Sequence, residues 1–242
     1  MATPSKPYAG FDTNGVVRFH RGVSTATPAN APDGRPARNP KCCAVHPGVG
    51  RDAKTGTVWE AWWDESHARS WDGINAQPIS RAAHCFHAPS SSVVSGGSSS
   101  SLNPNHGVQV AGRPKAAGGG AYTAYAIGWP SAKTVGVWRL GAKRLALKIK
   151  SRDPVRNLGI APGQGGRLWI YWVDAPKQRI DVALTDPRPT QIGKIRFFPN
   201  PHPAPGNAPE CLIGDGTAGP PDLVVVNAGS PTAVYLGRIP TR

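Results

Sequence analysis

The residues of this chain that are best suited to chemistry lie in one short segment that mixes carboxylates with aromatic rings. It contains the acids Glu60, Asp64, Glu65 and Asp72 and the ring side chains Trp63, His67 and Trp71. Paired carboxylates beside aromatic rings can form a glycosidase site, and an exposed Trp beside polar groups can bind a sugar ring or a protein. The same residues can equally form a solvated polar turn. We place Glu60 in a strand and the other acids in the turn after it, so no converging catalytic pair is established.

Binding without catalysis is therefore the prediction for this segment, and we name no catalytic residue. The candidate ligand-binding residues are Trp63, Asp64, Glu65, His67 and Trp71.

Histidine and cysteine also cluster, in Cys42-Cys43-Ala44-Val45-His46 and in His84-Cys85-Phe86-His87. These are ligand types of a zinc site. Our strand assignment puts the two clusters on the innermost and outermost strands of one sheet, about 14 Å apart at about 4.8 Å per strand. One zinc ion cannot bridge that distance, so we expect no metal and no cofactor. A disulfide from Cys42 or Cys43 to Cys211 is possible, and buried thiols are the alternative.

Two other kinds of catalytic motif are disfavoured. The glycine-rich segments Gly118-Gly119-Gly120 and Gly163-Gln164-Gly165-Gly166 each lead into a strand rather than a helix. We interpret them as turns and not as phosphate-binding loops. A Gly-x-Ser-x-Gly pattern does not occur, which disfavours a hydrolase of that type.

The elements that must position these residues recur along the chain. An apolar strand over residues 57–63 has aromatic residues three positions apart, and related strands follow at 121–126, 167–173 and 221–227. Each follows a short strand that is rich in small residues and ends at Gly, and alternating apolar stretches come after it. The first of these short strands covers residues 42–46 and is closed by Pro47-Gly48. Such a unit, repeated at roughly forty to sixty residues, predicts a β-propeller.

We therefore predict an all-β fold, a small β-propeller of four blades closed by the N-terminal strand. An irregular N-terminal arm covers 1–14, and one propeller domain covers 15–242. The blades cover about 40–88, 106–150, 156–199 and 209–240 plus 15–22, and a Ser/Gly-rich loop covers 89–105. Residues 16–20 would complete the last blade, so that no blade is left with an unpaired edge.

The net charge and the lack of long apolar segments indicate which partners and which cellular location to expect. The 242 residues carry a formal charge of +14, which favours anionic partners. The basic residues are scattered and no nucleic-acid motif accompanies them, so specific nucleic-acid binding is not expected. We expect no membrane span, because no apolar run reaches about 20 residues. The N-terminus has no apolar signal segment, which predicts a cytoplasmic protein at synthesis.

Three short stretches resemble a known family. His46-Pro47-Gly48, Lys54 to Trp63 and Gly73 to Gln77 are similar to a blade of the sialidase-like (BNR-type) β-propellers. The resemblance continues repeat by repeat over about residues 40–240 and implies a propeller fold. The Asp-box of that family, Ser-x-Asp-x-Gly-x-Thr-Trp, does not occur, so the resemblance implies no catalytic residue.

The function expected from these features is non-catalytic. The first hypothesis is a binding or scaffolding module in a larger assembly, one form of which is a virion structural protein of a phage tail or capsid. The alternative is a glycan-binding lectin or a degenerate sialidase-like glycosidase. The expected partners are neighbouring proteins, or an anionic glycan or another acidic surface.

Overall fold

A computed structural model describes ten stretches of the chain. They are 7–11, 17–21, 44–64, 73–78, 86–89, 108–128, 132–174, 176–200, 210–227 and 233–239. Within them the chain forms β-strands and two short 3₁₀ turns, Lys115–Ala117 and Gln164–Gly166. The prediction of an all-β chain is confirmed for these residues. No helix in this part of the chain is long and apolar enough to cross a membrane.

The strands form one hairpin and four antiparallel sheets, each sheet a meander in chain order. The hairpin consists of β1 (Pro7–Phe11) and β2 (Val17–Arg21). The first sheet contains β3 (Ala44–Arg51), β4 (Val58–Asp64), β5 (Gly73–Pro78) and β6 (Phe86–His87). The second contains β7 (Ala111–Gly112), β8 (Ala121–Ile127), β9 (Thr134–Arg139) and β10 (Leu147–Lys150). The third contains β11 (Val155–Pro162), β12 (Leu168–Asp174), β13 (Arg179–Leu184) and β14 (Arg196–Phe198). The fourth contains β15 (Glu210–Ile213), β16 (Asp222–Asn227) and β17 (Ala233–Arg238).

The aromatic spacing of the second strands has a packing reason. Neighbouring side chains of a strand point to opposite faces, so residues three apart also do. Tyr122 packs into the core between the second and third sheets, whereas Tyr125 packs into the core between the first and second. In the third sheet, Trp169 packs toward the fourth sheet and Trp172 toward the second. In the second and third sheets, the aromatic pair therefore supplies one ring to the core on either side of the sheet.

The first strands of successive sheets lie side by side, and glycine makes this possible. A Cβ atom on Gly48 of β3 would lie 1.9 Å from the carbonyl oxygen of Val108, in the segment that leads into β7. β11 contacts β7 and β15, and a parallel bridge joins Gly163 to Gly216. Small residues predominate in these strands because four backbones approach each other closely.

The first strand of the first sheet is longer than the sequence predicts. The prediction ends this strand at Pro47-Gly48, but β3 continues to Arg51. A register shift between Val45 and Gly48 interrupts its pairing with β4. Proline has no N–H to donate, and a bulge accommodates it without ending the strand.

The residues that the structure describes do not show the predicted closure by the N-terminal strand. β2 pairs with β1, and β1, which contacts β3, lies inside the arm that the sequence predicts to be irregular. The fourth sheet has three strands within the described ranges. A hairpin closes a short loop, whereas pairing of β2 with β17 closes nearly the whole chain, which is entropically less favourable.

Candidate ligand-binding site

A polar residue follows a glycine at the end of each first strand. The four pairs are Gly50-Arg51, Gly112-Arg113, Gly163-Gln164 and Gly214-Asp215. All four polar residues line one open cavity with a volume of about 520 Å³, together with glycine, proline and Thr217. We call this cavity the shared depression, because the loops after β3, β7, β11 and β15 all contribute to it.

Asp52 links the loops of the first and second sheets. Its carboxylate accepts hydrogen bonds from the backbone N–H groups of Gly120 at 2.7 Å and Lys54 at 2.8 Å. Gly119 has φ of +67°, and a Cβ atom there would lie 2.5 Å from Asp52 Oδ1. Burial by itself raises the pKa of Asp52, but hydrogen bonds from the N–H groups of Gly120 and Lys54 outweigh burial and hold the pKa below its ordinary value. The carboxylate therefore stays ionised and holds the two loops together.

Arg113 links the second and third sheets. Its side chain is buried, with the residue 5% exposed. The guanidinium donates to the carbonyl oxygens of Ala117, Gly119, Gly166 and Pro187 and to the hydroxyl of Tyr122. It also lies 5.4 Å from the centre of the Tyr122 ring. It makes no ion pair with a carboxylate of the described residues, so a positive charge lies buried at the wall of the depression.

Backbone contacts link the third and fourth sheets. The N–H of Gly216 donates to the carbonyl oxygen of Pro162 at 2.9 Å. A Cβ atom on Gly216 would lie 2.6 Å from Trp169 Cδ1, so only glycine allows this approach. Beside it, Asp215 Oδ1 accepts a hydrogen bond from the backbone N–H of Thr217 at 2.8 Å. The three links fix the loops around the depression relative to one another.

The open groups of the depression are polar, and the charged residues of the four surrounding loops are mostly basic. The side chains of Arg51, Gln164, Asp215 and Thr217 are exposed. The four loops carry the basic residues Arg51, Lys54, Arg113, Lys115 and Arg167 and the acidic residues Asp52 and Asp215. Such a site can hydrogen-bond a polar ligand, and its field favours a negative charge.

Comparison with known proteins assigns no family. No family model and no curated protein matches the chain. An exo-β-1,3-galactanase from Phanerochaete chrysosporium has a TM-score of 0.48 and 14% identity, and the match covers 81% of this chain and 47% of that one. A prolyl endopeptidase has a TM-score of 0.40 and 13% identity, with coverages of 91% and 33%. A Dyadobacter fermentans protein of unknown function has a TM-score of 0.30 and 10% identity, with coverages of 84% and 80%.

At these scores the likeness assigns no activity to this chain. The chain spans about half the length of the galactanase and a third of the length of the endopeptidase.

Of the site predicted from the sequence, the structure describes only the backbone of Trp63 and Asp64. Trp63 and Asp64 are the last residues of β4. This strand starts beside the shared depression, where Val58 pairs with Arg51, and Trp63 and Asp64 lie at its far end. Their side chains lie outside the described residues, as do Glu65, His67 and Trp71. The role of these five residues therefore stays a prediction.

Glu60 lies in β4, apart from the depression. It is fully buried, and neither carboxyl oxygen has a hydrogen-bond partner in the described part of the chain. Gln77, opposite it on β5, is equally buried, and its side-chain amide is also unpartnered there. Burial raises the pKa of Glu60 well above its ordinary value. Because Glu60 is enclosed in the first sheet and does not line the depression, it does not supply the second acid of a catalytic pair there.

The cysteine and histidine clusters are only partly described. His87 Nδ1 lies 2.6 Å from Asn75 Oδ1. The described ranges contain no group of three or more His, Cys, Asp or Glu side chains that could hold a metal ion. Cys211 is buried in the core between the third and fourth sheets, and its predicted disulfide partners, Cys42 and Cys43, lie outside the described residues. The disulfide stays a prediction.

Proposed function

We propose that this protein is a non-catalytic binding module whose sheets are arranged as propeller blades, and that the shared depression holds the ligand. One observation carries the proposal: polar side chains from the ends of four separate strands converge on one open cavity. Ligand sites are typically concave and contain a few convergent polar groups. The loops that bear these groups are joined by Asp52, Arg113 and the Gly216 backbone, so the site is preorganised.

A carbohydrate is the ligand class that fits the lining. Arg51 and Gln164 offer N–H donors, Asp215 and Gln164 offer acceptors, and Thr217 can do either. A cavity of about 520 Å³ is within the size range of small-molecule sites. Its lining contains proline and glycine but no aromatic ring. Recognition would therefore depend on hydrogen bonds, which a ligand rich in hydroxyl groups can satisfy.

The acidic residues around the depression support binding rather than hydrolysis. Most glycosidases use two carboxyl groups, separated by about 5 to 10 Å. Among the residues that line the cavity, Asp215 is the acid exposed to a ligand. The carboxylate of nearby Asp52 is occupied by backbone N–H groups. The lowered pKa of Asp52 keeps its carboxylate ionised at neutral pH, so Asp52 is not suited to act as a general acid there.

A scaffolding role is the second candidate, and β17 favours it. Leu236 in this strand is 72% exposed, and Gly237 and Arg238 are also exposed. The equivalent third strands β9 and β13 are mostly buried. The edge of β17 that pairs with no described strand would accept a strand from a neighbouring protein. The virion form of this hypothesis stays a prediction, with no support from the described residues.

Glycan binding measured for two sets of variants tests the proposal. A glycan array followed by titration calorimetry would compare the wild type with the double variant Gln164→Ala and Asp215→Ala. We expect a loss of affinity of about tenfold or more in the double variant, because two hydrogen-bonding groups are removed. Trp63→Ala, at the end of β4 that lies away from the depression, is the matched comparison. If Trp63→Ala alone abolishes binding, the ligand site is the one predicted from the sequence and the shared depression is not the site.

A further inference from the structure

We infer that the ligand of the shared depression is an acidic saccharide, and that Arg51 binds its acid group. This inference rests on the proposed function and deepens it. The ligand class is a sugar that carries a carboxylate or a sulfate beside free hydroxyl groups.

Arg51 is the first observation. Its side chain is exposed and makes no hydrogen bond or ion pair within the described residues, although Arg139, Arg179 and Arg238 each lie within ion-pair distance of an aspartate. Its backbone is fixed, because it pairs with Val58. A planar guanidinium with free donors is well suited to bidentate binding of an acid group.

The packing of Arg51 against the second sheet places it at the rim of the depression. A Cβ atom on Gly112 would lie 2.2 Å from the carbonyl oxygen of Arg51. The Arg51 backbone is therefore in close contact with β7, and only its side chain is able to move. Binding therefore has to order the Arg51 side chain but not its backbone.

Arg113 is the second observation. All five of its donated hydrogen bonds go to neutral oxygen atoms, so no carboxylate cancels its charge in the described part of the chain. A buried charge is screened less than one in water. Arg113 cannot donate to a ligand as well, but its field adds to that of Arg51 in the cavity. Arg113 is thus a positioning residue for the loops and a source of positive potential.

Asp215 limits which anions fit. It lines the same cavity and presents a carboxylate whose Oδ1 already accepts one N–H. A ligand that carries negative charge on every side would be repelled by the Asp215 carboxylate. A sugar can place its acid group at Arg51 and a hydroxyl at Asp215, whereas a polymer with one phosphate per residue, such as a nucleic acid, meets this carboxylate less favourably. The combination favours an acidic glycan.

A matched pair of ligands tests the inference. Titration calorimetry would compare short oligogalacturonates with their neutral methyl esters, and sulfated galactan oligosaccharides with their neutral desulfated forms, so that the carboxylate and sulfate sources are separated. The variants are Arg51→Ala and, as a control with the same loss of charge, Lys148→Ala on β10, whose side chain is exposed. We expect a preference of about tenfold for the acidic member of one pair. Arg51→Ala should abolish that preference and Lys148→Ala should keep it.

The possible failures are distinguishable. Equal binding of acidic and neutral members leaves the proposed function intact and overturns the inference. An equal loss of the preference in both variants shows a general effect of charge and also overturns it, as does tighter binding of single-stranded DNA than of any saccharide. If the protein binds no saccharide in these pairs or on a glycan array, the proposed function and the inference both fail.

Discussion

Arg113 donates a hydrogen bond from Nε to the carbonyl oxygen of Gly166 at 2.6 Å, across the boundary between the second and third sheets. The buried, charged guanidinium of Arg113 donates hydrogen bonds to carbonyl oxygens of three loops at this boundary. We expect Arg113→Met to lower the free energy of unfolding by about 3 kcal/mol or more, because several carbonyl groups lose their donors. Urea denaturation measures this. Arg167→Met, in the same loop region but exposed, should change stability little. Equal effects of the two substitutions would contradict this role of Arg113.

The first strands of neighbouring sheets are in such close contact that an added side chain at their glycine positions should destabilise the fold. Gly48→Ala places a Cβ atom 1.9 Å from a backbone oxygen, and a backbone atom cannot move aside as a side chain can. We expect a loss of about 2 kcal/mol or more in the free energy of unfolding. The matched control is Gly237→Ala, where no atom lies within 4 Å of the added Cβ. If Gly48→Ala is as stable as Gly237→Ala, β3 does not pack against the segment before β7 as described.

Asp52 should make stability sensitive to acid. Its pKa is lowered in the folded state, so its contribution is present above its unfolded pKa of about 3.9 and is lost as the pH falls through the folded pKa. Asp52→Asn should therefore destabilise the protein at pH 7, by about 1 kcal/mol, and the difference from the wild type should shrink below pH 3 or so. Thermal melting over this pH range measures it. A difference that stays constant with pH would show that the charge is not responsible.

Glu60 should have the opposite dependence on pH. Burial raises its folded pKa, so the unfolded chain releases this proton at a lower pH than the folded protein does. Stability therefore falls as the pH rises through the unfolded pKa of about 4.3 toward the folded value. We expect Glu60→Gln to stabilise the protein at pH 8 and to have little effect at pH 4. Parallel stability curves for variant and wild type would refute the neutral, buried state of Glu60.

The strands were largely predictable, because their spacing follows from packing. Trp169 and Trp172 are three apart since one ring is needed on each face of β12. The shared depression was harder to predict from the sequence than the strands. The glycine and polar residue at each strand end are visible in the sequence, but only the contacts between sheets bring Gln164 and Asp215 to one cavity. Arg113 gives no sign of its burial either, because arginine is mostly exposed in proteins.

Closure of the fold could not be decided from the sequence. Residues 16–20 have the apolar pattern of an outer strand, and that pattern is compatible with either β1 or β17 as a partner. Loop length, rather than side-chain type, favours β1. The sequence also directs attention to Trp63 and Asp64 because acids and aromatic rings are dense there, and density alone does not show which side chains converge.

Hydrogen–deuterium exchange with and without a bound saccharide tests the central claim most directly. If the ends of the four first strands form one site, the loops at 51–57, 113–120, 163–167 and 214–219 should gain protection together when the ligand binds. The region 63–72, which contains the site predicted from the sequence, should not change. Protection of 63–72 without protection of the four loops would contradict a shared ligand site.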